Sequence, residues 1–106
     1  METFSQVYFR ETGTIRLVML HPVNEGCLDE LMRLYQEKAN QGIRNWEMDL
    51  NKIEFINSQT LGMLVAFNTS VASRGGKLRL CLPKNSKITD LILLTRLDRI
   101  IDCVIT

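Results

Sequence analysis

Between Asp49 and Val65 the hydrophobic pattern of the chain changes its period. Trp46, Met48 and Leu50 alternate with polar neighbours, the two-residue repeat of a strand. From Asn57-Ser58 to Ser73-Arg74 the repeat becomes helical, and Leu78, Leu80 and Leu82 then return to alternation. A strand, a helix and a second strand joined by short connections make a crossover unit with parallel strands. That restricts the chain to the α/β class. It also sets the hydroxyl of Ser58 at the positive end of a helix, where four backbone N–H groups lack partners within the helix. A helix cap, an anion site and a phosphorylation switch are the three uses such a position allows.

The flanking segments extend this unit. Residues 6–10 and 14–20 read as two strands around the turn Glu11-Thr12-Gly13. His21-Pro22-Val23 ends the second, and Asn24 is a fair cap for a helix carrying Leu28, Leu31, Met32, Tyr35 and Ala39. Gln41-Gly42 stops that helix and Gly75-Gly76 stops the Ser58 helix. Ser86 caps a third helix with Ile88, Leu91, Ile92 and Leu94, and Ile100 to Ile105 reads as an edge strand. The order is β-β-α-β-α-β-α-β, with the first pair antiparallel and the later strands parallel. In such sheets function gathers at the loops that follow the carboxyl ends of the strands, here His21–Asn24, Asn51–Ser58 and Pro83–Ser86.

With 106 residues, the chain has material for one core, so a single domain over 1–106 is expected. Cys27, Cys81 and Cys103 are odd in number and widely spaced, which argues for reduced thiols and a cytoplasmic setting. The longest apolar run, Leu61–Phe67, is too short to span a membrane, and Met1–Ser5 shows no signal peptide. Net charge is +1; acidic side chains prevail over 1–73 and basic ones over 74–106. Those basic residues are scattered and no aromatic follows Phe67, so direct nucleic-acid binding is not expected.

Catalytic chemistry lacks its parts. His21 is the only histidine, no nucleophile-elbow Gly-x-Ser-x-Gly surrounds Ser58, and the cysteines are too far apart for a metal site. Gly75-Gly76 follows a helix, the wrong side for cradling phosphate. No enzyme activity, cofactor or metal is expected.

The run Asp49-Leu50-x-x-Ile53-x-Phe55-Ile56-Asn57-Ser58-x-x-Leu61-Gly62-x-Leu64 resembles the central motif of STAS domains, the fold of bacterial anti-sigma-factor antagonists. Gly75-Gly76-Lys77-Leu78 and the stretch Leu94 to Ile101 are similar to further elements of that family. The resemblance implies a mixed sheet with an N-terminal antiparallel hairpin, parallel crossovers and helices mainly on one face. It implies a cytoplasmic protein of transcription regulation that binds an anti-sigma factor acting also as a serine kinase. That kinase phosphorylates the serine matching Ser58, and a PP2C-type phosphatase resets it. The family usually carries an acidic residue, a small hydroxyl residue and glycine where this chain has Asn57, Gln59 and Thr60, so Thr60 becomes an alternative acceptor. A scaffold that never carries phosphate, for example a regulatory subunit of a membrane transporter, is the alternative.

Helical projection sets Leu61, Leu64, Val65, Asn68, Val71 and Ala72 on one face, read here as the core stripe. Thr60, Met63 and Phe67 fall opposite, which makes them an expected partner-docking patch beside Asn24, Asn57, Ser58 and Gln59. Equally, Phe67 could pack against a neighbouring helix. Asn68 on the core stripe fits poorly.

Overall fold

The computed structural model describes residues 4–21 and 27–106. Five strands form one sheet in the order β1 (Phe4–Phe9), β2 (Thr14–Met19), β3 (Asn45–Asp49), β4 (Lys77–Leu82), β5 (Asp102–Ile105). β1 and β2 pair antiparallel around Gly13, whose φ of +65° suits a glycine in the turn. All later neighbours pair in parallel. The helices α1 (Cys27–Asn40), α2 (Ser58–Ser73) and α3 (Lys87–Leu94) supply the crossovers, and a 3₁₀ turn at Leu97–Arg99 leads into β5. The expected element order is therefore observed. β1 sits two residues earlier than its expected start, and β5 begins after Ile100 and Ile101 rather than at them.

Register explains why the sheet has one covered face. Ile15, Trp46 and Leu78 lie side by side across β2, β3 and β4, as do Leu17, Met48 and Leu80, and all six are buried beneath helices. The intervening residues form a row of alternating sign across four strands: Arg16, Glu47, Arg79 and Asp102. Arg16 pairs with Glu47 at 3.1 Å and Asp49 at 2.7 Å, and Arg79 with Asp102 at 3.0 Å. This face is left to solvent, as an antiparallel-edged sheet allows.

At the base of the core three rings meet. Phe67 of α2 packs edge-on to Trp46 at 5.3 Å and to Tyr35 of α1 at 5.7 Å between centroids. The Tyr35 hydroxyl donates to the Ser70 carbonyl at 2.9 Å, which ties α1 to α2. Gly76 begins the return to β4 at a place where a Cβ would lie 2.1 Å from the Arg44 carbonyl oxygen. Only glycine fits that approach. Cys27, Cys81 and Cys103 form no disulfide with one another, and burial pushes the Cys103 thiol up to about 11.

Candidate functional site

Parallel register places the carboxyl ends of β2, β3 and β4 on one rim, since Val18 lies beside Asp49 and Asp49 beside Cys81. The loop from Asn51 to Asn57 rises from that rim. It is fixed at its start by Asp49, whose Oδ1 accepts from the Asn51 N–H at 2.8 Å and the Asn51 side chain at 2.7 Å. The Asn51 amide also donates to the Thr106 hydroxyl at 3.0 Å, which links the loop to the end of β5. Partial burial alone would raise the Asp49 carboxyl, but the Asn51 donors and the Arg16 guanidinium outweigh it and hold it below the usual range. Asp49 is thus a fully engaged anion that shapes a loop.

Ile53 and Ile56 are buried and pin the middle of the loop to the core, while Phe55 between them is 60% exposed. The loop ends at Asn57, which has extended backbone angles and caps α2. Its Oδ1 accepts from the Thr60 N–H at 2.8 Å and from the Thr60 hydroxyl at 2.9 Å. Its backbone carbonyl accepts from the Leu61 N–H at 3.1 Å. Among the described residues no acceptor engages the N–H groups of Ser58 and Gln59. Ser58 is the first residue of α2, and Asn57, Ser58 and Gln59 are all exposed. The rim therefore presents a free hydroxyl beside unpaired donors at a helix terminus.

Three expected docking residues are displaced from this surface. Thr60, Met63 and Phe67 are 0%, 2% and 0% exposed, so they belong to the core and form no patch. The buried Thr60 hydroxyl, bonded to Asn57, is equally unsuited as an alternative phosphoacceptor. The true core stripe of α2 is Thr60, Met63, Leu64, Phe67 and Val71, roughly a quarter turn from the expected one. Val65 and Ala72 face solvent, and Asn68 is half-buried at the stripe's border, which resolves its poor fit. The physical cause is the ring cluster: the sheet offers Trp46 and α1 offers Tyr35, and only Phe67 fills the space between them. Asn24 lies outside the described residues, and His21, on the same rim, is exposed.

Phe55 is the residue that the sequence pattern did not single out. Its signal lay in Ile53 and Ile56, whose three-residue step can anchor a loop on one side only. With Phe55, the exposed surface near Ser58 continues along α2 through Gly62 and Val65. Among the described residues no group of acidic, histidine or cysteine side chains is arranged to hold a metal ion. No helix among them is long and apolar enough to cross a membrane.

Known proteins resemble this chain along most of its length. A profile of the STAS domain matches residues 11–105. A candidate anti-sigma factor antagonist of Thermotoga maritima is 35% identical over 68 residues, 64% of this chain, and the match spans 59% of that protein's length. The crystal structure of a candidate anti-sigma factor antagonist of that organism, TM1081, superposes with a TM-score of 0.79 at 24% identity, covering 97% of this chain and 86% of the other. The NMR structure of TM1081 gives 0.75 at 26% identity, over 100% of this chain and 83% of the other. An anti-sigma factor antagonist from Mycobacterium paratuberculosis shares the fold at 0.70 with 16% identity, over 94% and 84%.

Proposed function

The chain belongs to the STAS domain family, and from that premise we propose that it is an anti-sigma-factor antagonist switched by phosphorylation of Ser58. The observation that carries this reading is the exposed Ser58 hydroxyl at the start of α2, beside unpaired N–H groups of the first turn. The unphosphorylated protein binds an anti-sigma factor that is also a serine kinase. The docking surface is Phe55, Asn57, Ser58, Gln59, Gly62 and Val65, in place of the buried Thr60, Met63 and Phe67.

The switch follows from charge. Phosphate on Ser58 adds about 1.5 to 2 negative charges at neutral pH, and the free N–H groups and helix dipole stabilise them locally. The fold is undisturbed because Ser58 has no buried contact to lose. A partner pressed on that rim, however, meets a strongly hydrated dianion, and about 1.4 kcal/mol of cost already weakens binding tenfold. A PP2C-type phosphatase restores the binding form. The serine needs no activating base of its own, because the kinase brings one with its nucleotide.

Incubation with the cognate kinase and ATP tests the assignment. Wild type takes up phosphate and leaves the partner, whereas Ser58→Ala takes up none and stays bound. Equal labelling of the two proteins would sink it. A second reading, a scaffold that never carries phosphate, draws on the neutral Asn57 where the family usually has an acidic residue. It predicts that Ser58→Ala and wild type bind their partner alike with and without ATP.

A further inference from the structure

β1 is the outer strand of the sheet, and among the described residues nothing pairs with its free edge. It runs for six residues in unbroken register with β2, with no bulge. Phe4 packs partly on the core, but every residue from Ser5 to Phe9 is exposed, including Val7 at 47%, Tyr8 at 52% and Phe9 at 43%. Long, flat, apolar edges of this kind are templates for a further strand, and proteins that keep them unpaired usually add lysine, proline or a bulge. β1 has none of these within Phe4–Phe9. The opposite edge, β5, is only four residues long and carries Asp102 in an ion pair with Arg79.

The sequence of β1 also reads almost the same in both directions. Phe4-Ser5-Gln6-Val7-Tyr8 has Gln6 at its centre, a small or medium residue on each side and an aromatic ring at each end. A two-fold axis perpendicular to the sheet at Gln6 pairs such a strand antiparallel with itself, the self-complementary contact of a symmetric dimer. Phe4 then lies opposite the partner's Tyr8, and Ser5 opposite the partner's Val7. Facing aromatic pairs are favourable across antiparallel strands. The strand is uncharged from Phe4 to Phe9, so no like charges confront each other along it.

A groove beside β1 suits the incoming ring. It has a volume of about 230 Å³ and lies between Phe4 and Gln6 of β1 and Glu30, Arg33, Leu34 and Glu37 of α1. Its lining combines the apolar Phe4 and Leu34 with Glu30 and Glu37, whose carboxylates can accept from a phenolic hydroxyl.

We propose that β1 is a homodimerisation edge, at which a second copy of this chain adds its own β1 antiparallel about Gln6. The partner's Tyr8 enters the groove between Phe4 and α1. Two six-residue strands and two rings bury less than the roughly 1,200 Å² of stable interfaces, so the dimer belongs in the micromolar range. The contact lies at the strand edge and does not use Ser58, so it stands apart from the phosphorylation switch.

Sedimentation velocity from about 10 to 500 μM tests the proposal. Wild type shows a monomer–dimer equilibrium, and Tyr8→Lys raises its dissociation constant at least tenfold with an unchanged melting temperature. Gln6→Cys, set opposite itself on the axis, cross-links to a covalent dimer under mild oxidation, whereas wild type and Thr12→Cys do not. A monomer at every concentration overturns the proposal, as does a dimer that Tyr8→Lys leaves intact or a Thr12→Cys cross-link as efficient as that of Gln6→Cys.

Discussion

Asn57 and Thr60 are joined by two hydrogen bonds to one atom: the Asn57 Oδ1 accepts from the Thr60 N–H at 2.8 Å and from its hydroxyl at 2.9 Å. The first bond caps α2, and the second satisfies a hydroxyl that is wholly buried. One side chain therefore fixes where the helix starts and keeps a polar group in the core at low cost.

Asn57→Ala removes both acceptors at once. Loss of a cap costs about 1 kcal/mol, and stranding a buried hydroxyl adds about 1 to 3. Urea denaturation should show a loss of roughly 2 to 4 kcal/mol for Asn57→Ala, but under 1 for Asn57→Asp, which can still accept both bonds. Similar losses for the two would mean that the shared acceptor is unimportant.

The two phenylalanines of the site region separate stability from binding. Phe67→Ala empties the space between Tyr35 and Trp46 and should cost about 3 to 5 kcal/mol. Phe55→Ala, at an exposed ring, should change stability by less than about 0.5 kcal/mol while weakening capture of the proposed anti-sigma partner. Thermal melts paired with a binding titration read both effects.

Much of this was legible in the residues. Strands announced themselves because Trp46, Met48 and Leu50 or Leu78, Leu80 and Leu82 alternate without ambiguity. The orientation of α2 did not, because Gly62, Ala66 and Ala72 are small enough for either environment and Thr60 is a polar residue in the core. Its true phase is set by ring packing with Tyr35 and Trp46, partners that come from distant parts of the chain. The exposure of Phe55 was hidden for a similar reason, since a loop has no period from which to read a face.

Acid should weaken the fold through Asp49. Its carboxyl is held below the usual carboxylate range, so the stability it confers is complete above that range and is lost as pH falls through the lower folded-state pKa. Asp49→Asn should lower the melting temperature by about 4 to 8 °C at pH 7, for a loss near 1 kcal/mol, with the gap to wild type closing as the pH is taken towards 2. A gap that stays constant between pH 7 and 2 would falsify the assignment.

Two glycines should respond in opposite directions to alanine. At Gly76 the new methyl meets the Arg44 carbonyl, and strand β4 must shift, with a loss of about 2 kcal/mol or more. At Gly62, inside α2 with open space around its Cα, alanine should add about 0.5 to 1 kcal/mol. Chemical denaturation of the two variants measures both. If Gly62→Ala also abolishes partner capture, the smooth surface after Ser58 is needed by the partner rather than by the fold.

The alternating row Arg16, Glu47, Arg79, Asp102 decides where other molecules can approach. Stacking a second apolar layer on that face would strip water from four ionised groups, at several kcal/mol for each ion left poorly paired. The bare side of the sheet is therefore a fence, kept clear by its own charges, while the other side is roofed by helices. An approaching protein is steered instead to the margins of the sheet and the outer faces of the helices, where the proposed sites at Ser58 and on β1 stand.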